Sequence, residues 1–196
     1  INPAEFFNSS NELDITDFDF TEQDIISAID EISNNASAGP DGFPAILLKN
    51  CKEVLAKPLY TIWRNSLDKG VTPSQVKQST IVPIHKGNST AQASNYRPVA
   101  LTSHLVKIFE KILRKNIIQH LEMNNLLNPS QHGFRAGRSC LSQLIAHYDK
   151  ILELLDNGAN VDVIYLDFAK AFDKHDYTIS LEKLKALGIS GRVGQW

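Results

Sequence analysis

The sequence predicts an α+β protein, rich in helix and poor in sheet. Three observations point there. Leu105, Ile108, Phe109, Ile112 and Leu113 repeat at helical spacing, and other stretches share that period. Two short runs, 80–84 and 96–101, flank a polar turn and read as an antiparallel hairpin. A third run, 161–166, has the apolar, β-branched and aromatic composition of a buried strand and ends in a carboxylate, Asp167.

At 196 residues the chain can build one substantial core, or a core with a satellite lobe. No apolar run approaches the roughly 20 residues that span a bilayer, and the N-terminus lacks a basic-then-apolar signal pattern. Cys51 and Cys140 stand alone, without metal-ligand spacing, and suggest a reducing compartment. Charge is uneven. Residues 1–31 hold nine of the 22 acids and no Lys or Arg, leaving all 20 basic residues against 13 acids in the remainder. A moderately basic body suits a polyanion partner, and equally an ordinary solvated surface.

Residues 1–19 are polar and acidic and read as a flexible linker. Thr21 then caps a helix of about three turns, with Asp24 near its positive end and Ile25, Ala28, Ile29 and Ile32 on one face. The stretch 36–42 is a turn whose glycines could also admit a phosphate. A helix over 44–50 follows. The next carries Leu55, Leu59, Ile62, Trp63 and Leu67, with Pro58 near its first turn and Gly70 at its end.

Pro83 argues that the first hairpin strand lies at an edge. Lys86 and Arg97 place a cation on each side of the hairpin loop. They form a phosphate clamp, a point charge beside a bidentate fork, or they are incidental surface charges. Ser103 caps the long helix, whose Lys107, Lys111, Arg114 and Lys115 lie off its apolar face and either track a nucleic-acid backbone or are merely solvated. The loop 128–139 combines glycines, Arg135, Arg138 and an aromatic, a mixture suited to sugar-phosphate contact and stacking. Ser139 caps a helix expected to turn Leu141, Leu144, Ile145, Tyr148, Ile151, Leu152 and Leu155 inward. A last helix runs from 176 to 187. Asp167 itself either caps a turn or compensates its burial with a divalent cation.

The ordered stretches GPDG (39–42), IVPIHKG (81–87), NYRPVALTS (95–103), QHGFRAGRSC (131–140) and LDFAKAFD (166–173) resemble the reverse transcriptases of non-LTR (LINE-type) retrotransposons. Val76 and Lys174-His175-Asp176-Tyr177 depart from that pattern. The resemblance implies a right-hand polymerase fold: a linker at 1–19, helix-rich fingers at 20–160, and an incomplete palm sheet at 161–196. It implies an RNA template, a DNA primer, deoxynucleotide triphosphates, two Mg²⁺ ions, no membrane association and an intracellular setting, nuclear or cytoplasmic.

By the same resemblance Asp167 is the catalytic carboxylate, and Asp167 with the Phe168 carbonyl binds metal. Lys86, Arg97 and the main chain at Lys170 and Ala171 touch the triphosphate, and Phe172 gates the sugar. Asp173 is either structural or metal-binding. Arg135 and Arg138 hold template and primer. Two-metal nucleotidyl transfer also needs the paired aspartates of a later motif, which the sequence does not contain. The chain alone is therefore expected to be inactive, with unpaired strand edges that favour self-association. A non-catalytic nucleic-acid-binding remnant is the competing expectation.

Overall fold

A computed structural model describes residues 14–168 and 174–196. The architecture is α+β and helix-rich, as the sequence predicts: α1 (Glu22–Asp30), α2 (Ala45–Asn50), α3 (Lys52–Lys69), β1 (Ser79–His85), β2 (Tyr96–Thr102), α4 (His104–Met123), α5 (Cys140–Asp156), α6 (Tyr177–Ala186) and α7 (Gly191–Gln195). Among the described residues no helix is long and apolar enough to cross a membrane. The described residues divide into two compact units, one drawn from 14–120 and 181–196 and one from 121–168 and 174–180.

The first unit is built on an aromatic core. Trp63 of α3 stacks on Phe109 of α4 with ring centroids 5.1 Å apart. Trp196 meets Phe109 edge-on at 4.9 Å, and Phe20 meets it at 5.5 Å. Around these rings Ile25 and Ile29 of α1, Leu67 of α3 and Ile108 of α4 are fully buried. Local signals start the helices where the sequence places them. Thr21 and Asp24 form a reciprocal capping box, and Ser103 Oγ accepts the Leu105 N–H at 3.0 Å. Pro58 differs from expectation. It lies inside α3, which begins at Lys52. Pro58 has no N–H to give the Val54 carbonyl, and Val54 is exposed, so water can take that bond.

Of the expected linker at 1–19, residues 1–13 lie outside the described residues, and residues 14–19 pack into the first unit. Ile15 bridges Ile189 in parallel, and its main chain exchanges bonds with Gly188 O (2.8 Å) and Ser190 N (3.2 Å). Phe18 is buried against Phe20 and Phe109. The acidic composition conceals the cause: Ile15, Phe18 and Phe20 are spaced through it, and its acids find cations. Asp17 pairs with Arg64 at 2.8 Å and Arg192 at 2.9 Å, and both arginines also reach Asp68. Lys52 holds Asp30, Lys111 holds Glu31 and Lys115 holds Asp24. The basic side of α4 is thus partly spent on α1.

These pairs give the first unit an acid dependence. Partial burial pushes Asp17 up, but hydrogen bonds from Arg64 and the Phe18 N–H, with the Arg64 charge, hold it below the ordinary 3.8. Burial likewise opposes, and Thr21 with Lys115 outweighs it, at Asp24. A carboxylate held below its unfolded value stabilises the fold above that value and ceases to do so as it is protonated. The urea midpoint is therefore expected to fall as the pH drops through 3.8 and lower, with a shallower acid limb in Asp17→Asn.

β1 and β2 pair antiparallel with Ile84 opposite Arg97 and Pro83 opposite Pro98. Two prolines can face each other only at a pair whose N–H groups point away from the partner strand, so each outer edge lacks a donor at the same level. Gly39 of the GPDG turn lies against the main chain where β2 meets α4. A Cβ there would stand 2.6 Å from Ser103 N. Asp41 accepts the Ser103 hydroxyl. The GPDG stretch thus braces a strand–helix junction.

In the second unit the expectations from periodicity need correction. α5 starts at the expected cap, where Ser139 and Ser142 are reciprocally bonded, yet it has no buried residue. Leu141, Leu144, Ile145, Tyr148, Leu152 and Leu155 are all exposed. Residues 159–168 form no strand, and Leu166 is 91% exposed. A strand needs a neighbour to satisfy its N–H and C=O groups, and the sheet of the described residues contains only β1 and β2. Asp176 accepts the Thr178 and Ile179 N–H groups and so opens α6 as expected.

Candidate nucleotide and nucleic-acid interface

The hairpin positions the first pair of cations. The Lys86 N–H bonds to Asn95 O at 2.9 Å, which continues the β1–β2 ladder one step past His85. Side chains alternate along a strand, so Ile84, Lys86, Asn95 and Arg97 share one face. Lys86 and Arg97 are diagonal neighbours there, roughly 7–8 Å apart at the main chain. Both are exposed, and neither side chain is bonded to a described residue. Tyr96 and His85 occupy the opposite face, their rings 5.1 Å apart.

The connecting loop is braced from within. Asn95 Nδ2 donates to Ser89 O at 2.8 Å, and the Tyr96 hydroxyl donates to Thr90 O at 3.0 Å. The two cations therefore stand on a preformed turn.

In the second unit the loop 128–139 is organised around a residue that nothing in the sequence singles out. His132 is buried; its Nδ1 lies 2.8 Å from Ser142 Oγ and its Nε2 lies 3.4 Å from Arg138 Nη1. Arg135 donates to Asn128 O at 3.3 Å. Both arginines line a small polar pocket with Glu122, Asn125 and Pro129. Gly137 takes a φ of 70° in the turn between them. Phe134 has a φ of 62° and is 85% exposed. A bulky side chain held in the left-handed region costs about 1–3 kcal/mol, a strain concentrated at binding and active sites.

Asp167 and Phe168 are exposed at the end of the irregular segment 159–168. Lys170, Ala171, Phe172 and Asp173 lie outside the described residues. Among the described residues no three His, Cys, Asp or Glu side chains stand together as a metal site. A pair of divalent ions needs several carboxylates. The described residues do not fit that centre.

Lys86 and Arg97 are thus brought to one face of the first unit, and Arg135 and Arg138 to one pocket of the second. A family model described as reverse transcriptase (RNA-dependent DNA polymerase) matches residues 84–196, from the end of β1 through the loop, α5 and Asp167. The chain belongs to this family. It is 29% identical over 164 residues to the probable RNA-directed DNA polymerase from transposon BS of Drosophila melanogaster, covering 82% of this chain and 18% of that protein. With the probable RNA-directed DNA polymerase from transposon X-element of the same species it shares 26% over 168 residues, 85% of this chain and 18% of the relative. The RNA-directed DNA polymerase from mobile element jockey is 29% identical over 130 residues, 66% of this chain and 14% of that polymerase. The chain spans less than a fifth of the length of each of these relatives. The resemblance to non-LTR retrotransposon enzymes holds.

Proposed function

We propose that the chain is the nucleotide- and template-engaging part of a reverse transcriptase of a non-LTR retrotransposon, with fingers and part of a palm. Its partners are an RNA template, a DNA primer and deoxynucleotide triphosphates, in an intracellular setting. Lys86 and Arg97 contact the triphosphate, with the main chain at Lys170 and Ala171, and Phe172 gates the sugar. Arg135 and Arg138 hold a strand by its phosphates, and the outward ring of Phe134 stacks on a base or ribose. Asp167 is one carboxylate of the Mg²⁺ set and the Phe168 carbonyl a further oxygen donor. One carboxylate is too few, so the remainder of the set comes from residues other than those described.

The observation that carries this reading is the pairing of Arg135 with Arg138 on one polar pocket, in a loop inside the family match. The competing reading is a binding role without catalysis for the chain by itself. Both readings meet one experiment on the full chain. It is expected to bind primer–template with a steep salt dependence and to extend no primer with Mg²⁺ and deoxynucleotides. Arg135→Ala with Arg138→Ala is expected to flatten the log–log salt slope by about 1.4–1.8. Extension by the chain alone overturns its inactivity. A slope that the double variant leaves unchanged removes these arginines from the interface.

A further inference from the structure

We propose that His132 is the positioning residue for Arg138: a neutral imidazole carrying its proton on Nδ1, whose bare Nε2 holds the guanidinium over the pocket it shares with Arg135. The proposal rests on the reading of that pocket as a seat for a nucleic-acid phosphate and adds what fixes its donor.

Hydrogen-bond counting around Ser142 assigns the tautomer. Ser142 Oγ has one proton, and it is 3.0 Å from Ser139 O, a carbonyl that can only accept. The same oxygen accepts the Ser139 N–H at 2.9 Å. With its proton on Ser139 O, Ser142 Oγ can meet His132 Nδ1 at 2.8 Å only as an acceptor, so Nδ1 carries a hydrogen. Arg138 Nη1 has no acceptor capacity, and at 3.4 Å it requires a lone pair on Nε2. One arrangement satisfies all four contacts. Any other leaves a donor facing a donor at the buried imidazole.

The consequence is a chain of bonds from the N-terminal turn of α5, through a buried ring, to an exposed arginine. The side chain of Ser142 caps the helix reciprocally with Ser139, so the ring is referenced to a regular element rather than to the loop. Arg138 is bonded at Nη1 and keeps its other guanidinium N–H groups for the pocket. Arg135 is held separately, by Asn128 O. Two guanidinium groups with fixed positions suit a phosphodiester oxygen pair, and fixing each in advance reduces the ordering cost at binding.

The test uses the full chain, ¹⁵N-labelled for long-range imidazole correlation spectra, and a fluorescein-labelled single-stranded RNA as probe. The His132 ring is expected to show a protonated Nδ1 and an unprotonated Nε2. His132→Gln, whose amide oxygen reaches the Nε2 position, is expected to bind the probe within about twofold of the parent. His132→Asn keeps a donor for Ser142 but cannot reach Arg138, and is expected to weaken binding about two- to tenfold. Arg138→Ala is expected to weaken it at least as much.

A ring protonated on Nε2 overturns the proposal, and this holds even if a variant fails to fold. So does His132→Asn binding like the parent while Arg138→Ala does not. If Arg138→Ala itself binds like the parent, the phosphate reading of the pocket fails and takes the proposal with it. The tautomer spectrum then still separates that failure from an error in the bond network.

Discussion

Phe109→Ala is expected to cost about 3–5 kcal/mol, the largest loss from any single truncation in the first unit. Phe109 is fully buried and touches four other rings: Phe18, Phe20, Trp63 and Trp196. Those rings come from the N-terminal segment, α3 and the C-terminal residues. They are held in place by the ring they surround. Removing it leaves a cavity that rigid aromatic walls fill poorly, and it deletes a stacked pair and an edge-on pair worth about 0.5–1.5 kcal/mol each beyond their burial. Against a typical total of about 5–15 kcal/mol, such a loss leaves the unit marginal. Tryptophan fluorescence during urea unfolding reads it directly, because both tryptophans lie against Phe109. Phe134→Ala, at an exposed ring in the second unit, is the control and is expected to leave that midpoint in place.

Gly39→Ala is the second large effect, expected near the upper end of the roughly 1–3 kcal/mol that overpacking costs. The added methyl would lie 2.6 Å from Ser103 N and Thr102 C and 2.7 Å from Thr102 O. All three are main-chain atoms. A flexible side chain could swing aside, but this junction cannot, because Ser103 is bonded to Asp41 and caps α4 through the Leu105 N–H. Relief requires the turn to lift off or β2 to shift against the helix it feeds. Gly42→Ala separates this clash from ordinary glycine strain. Its Cβ would meet nothing within 4 Å, and only its φ of 70° opposes the change. Thermal melts are expected to rank Gly39→Ala well below Gly42→Ala, with faster amide exchange at 102–105 in the former.

Much of this was legible where the signal is local. Thr21 with Asp24, Ser103 and Ser139 act at helix starts because a hydroxyl or carboxylate satisfies N–H groups two or three residues away. The hairpin was legible too, since two short runs around a polar turn leave few alternatives. Periodicity on α5 identified which residues share a face. It carries no information on whether another element covers that face. The run 161–166 shows the same limit, because strand composition does not supply a partner strand. The acid content of residues 14–19 hides the spacing of Ile15, Phe18 and Phe20, which turns these apolar side chains toward the core. The cations that neutralise those acids lie up to 175 positions away in sequence. His132 was invisible for a related reason: its role depends on Ser142 and Arg138 approaching it in space.

The first unit is assembled from two separated lengths of chain, 14–120 and 181–196, with the second unit synthesised between them. On a ribosome adding about 5–20 residues per second, α3 and α4 emerge several seconds before Trp196 can close over Phe109. During that interval Phe109 and Trp63 lack one ring of their cluster, and Asp17 lacks Arg192. A nascent chain from which Ile189–Trp196 has not yet emerged is therefore expected to present a sticky, protease-sensitive intermediate, and emergence of that segment to bring resistance.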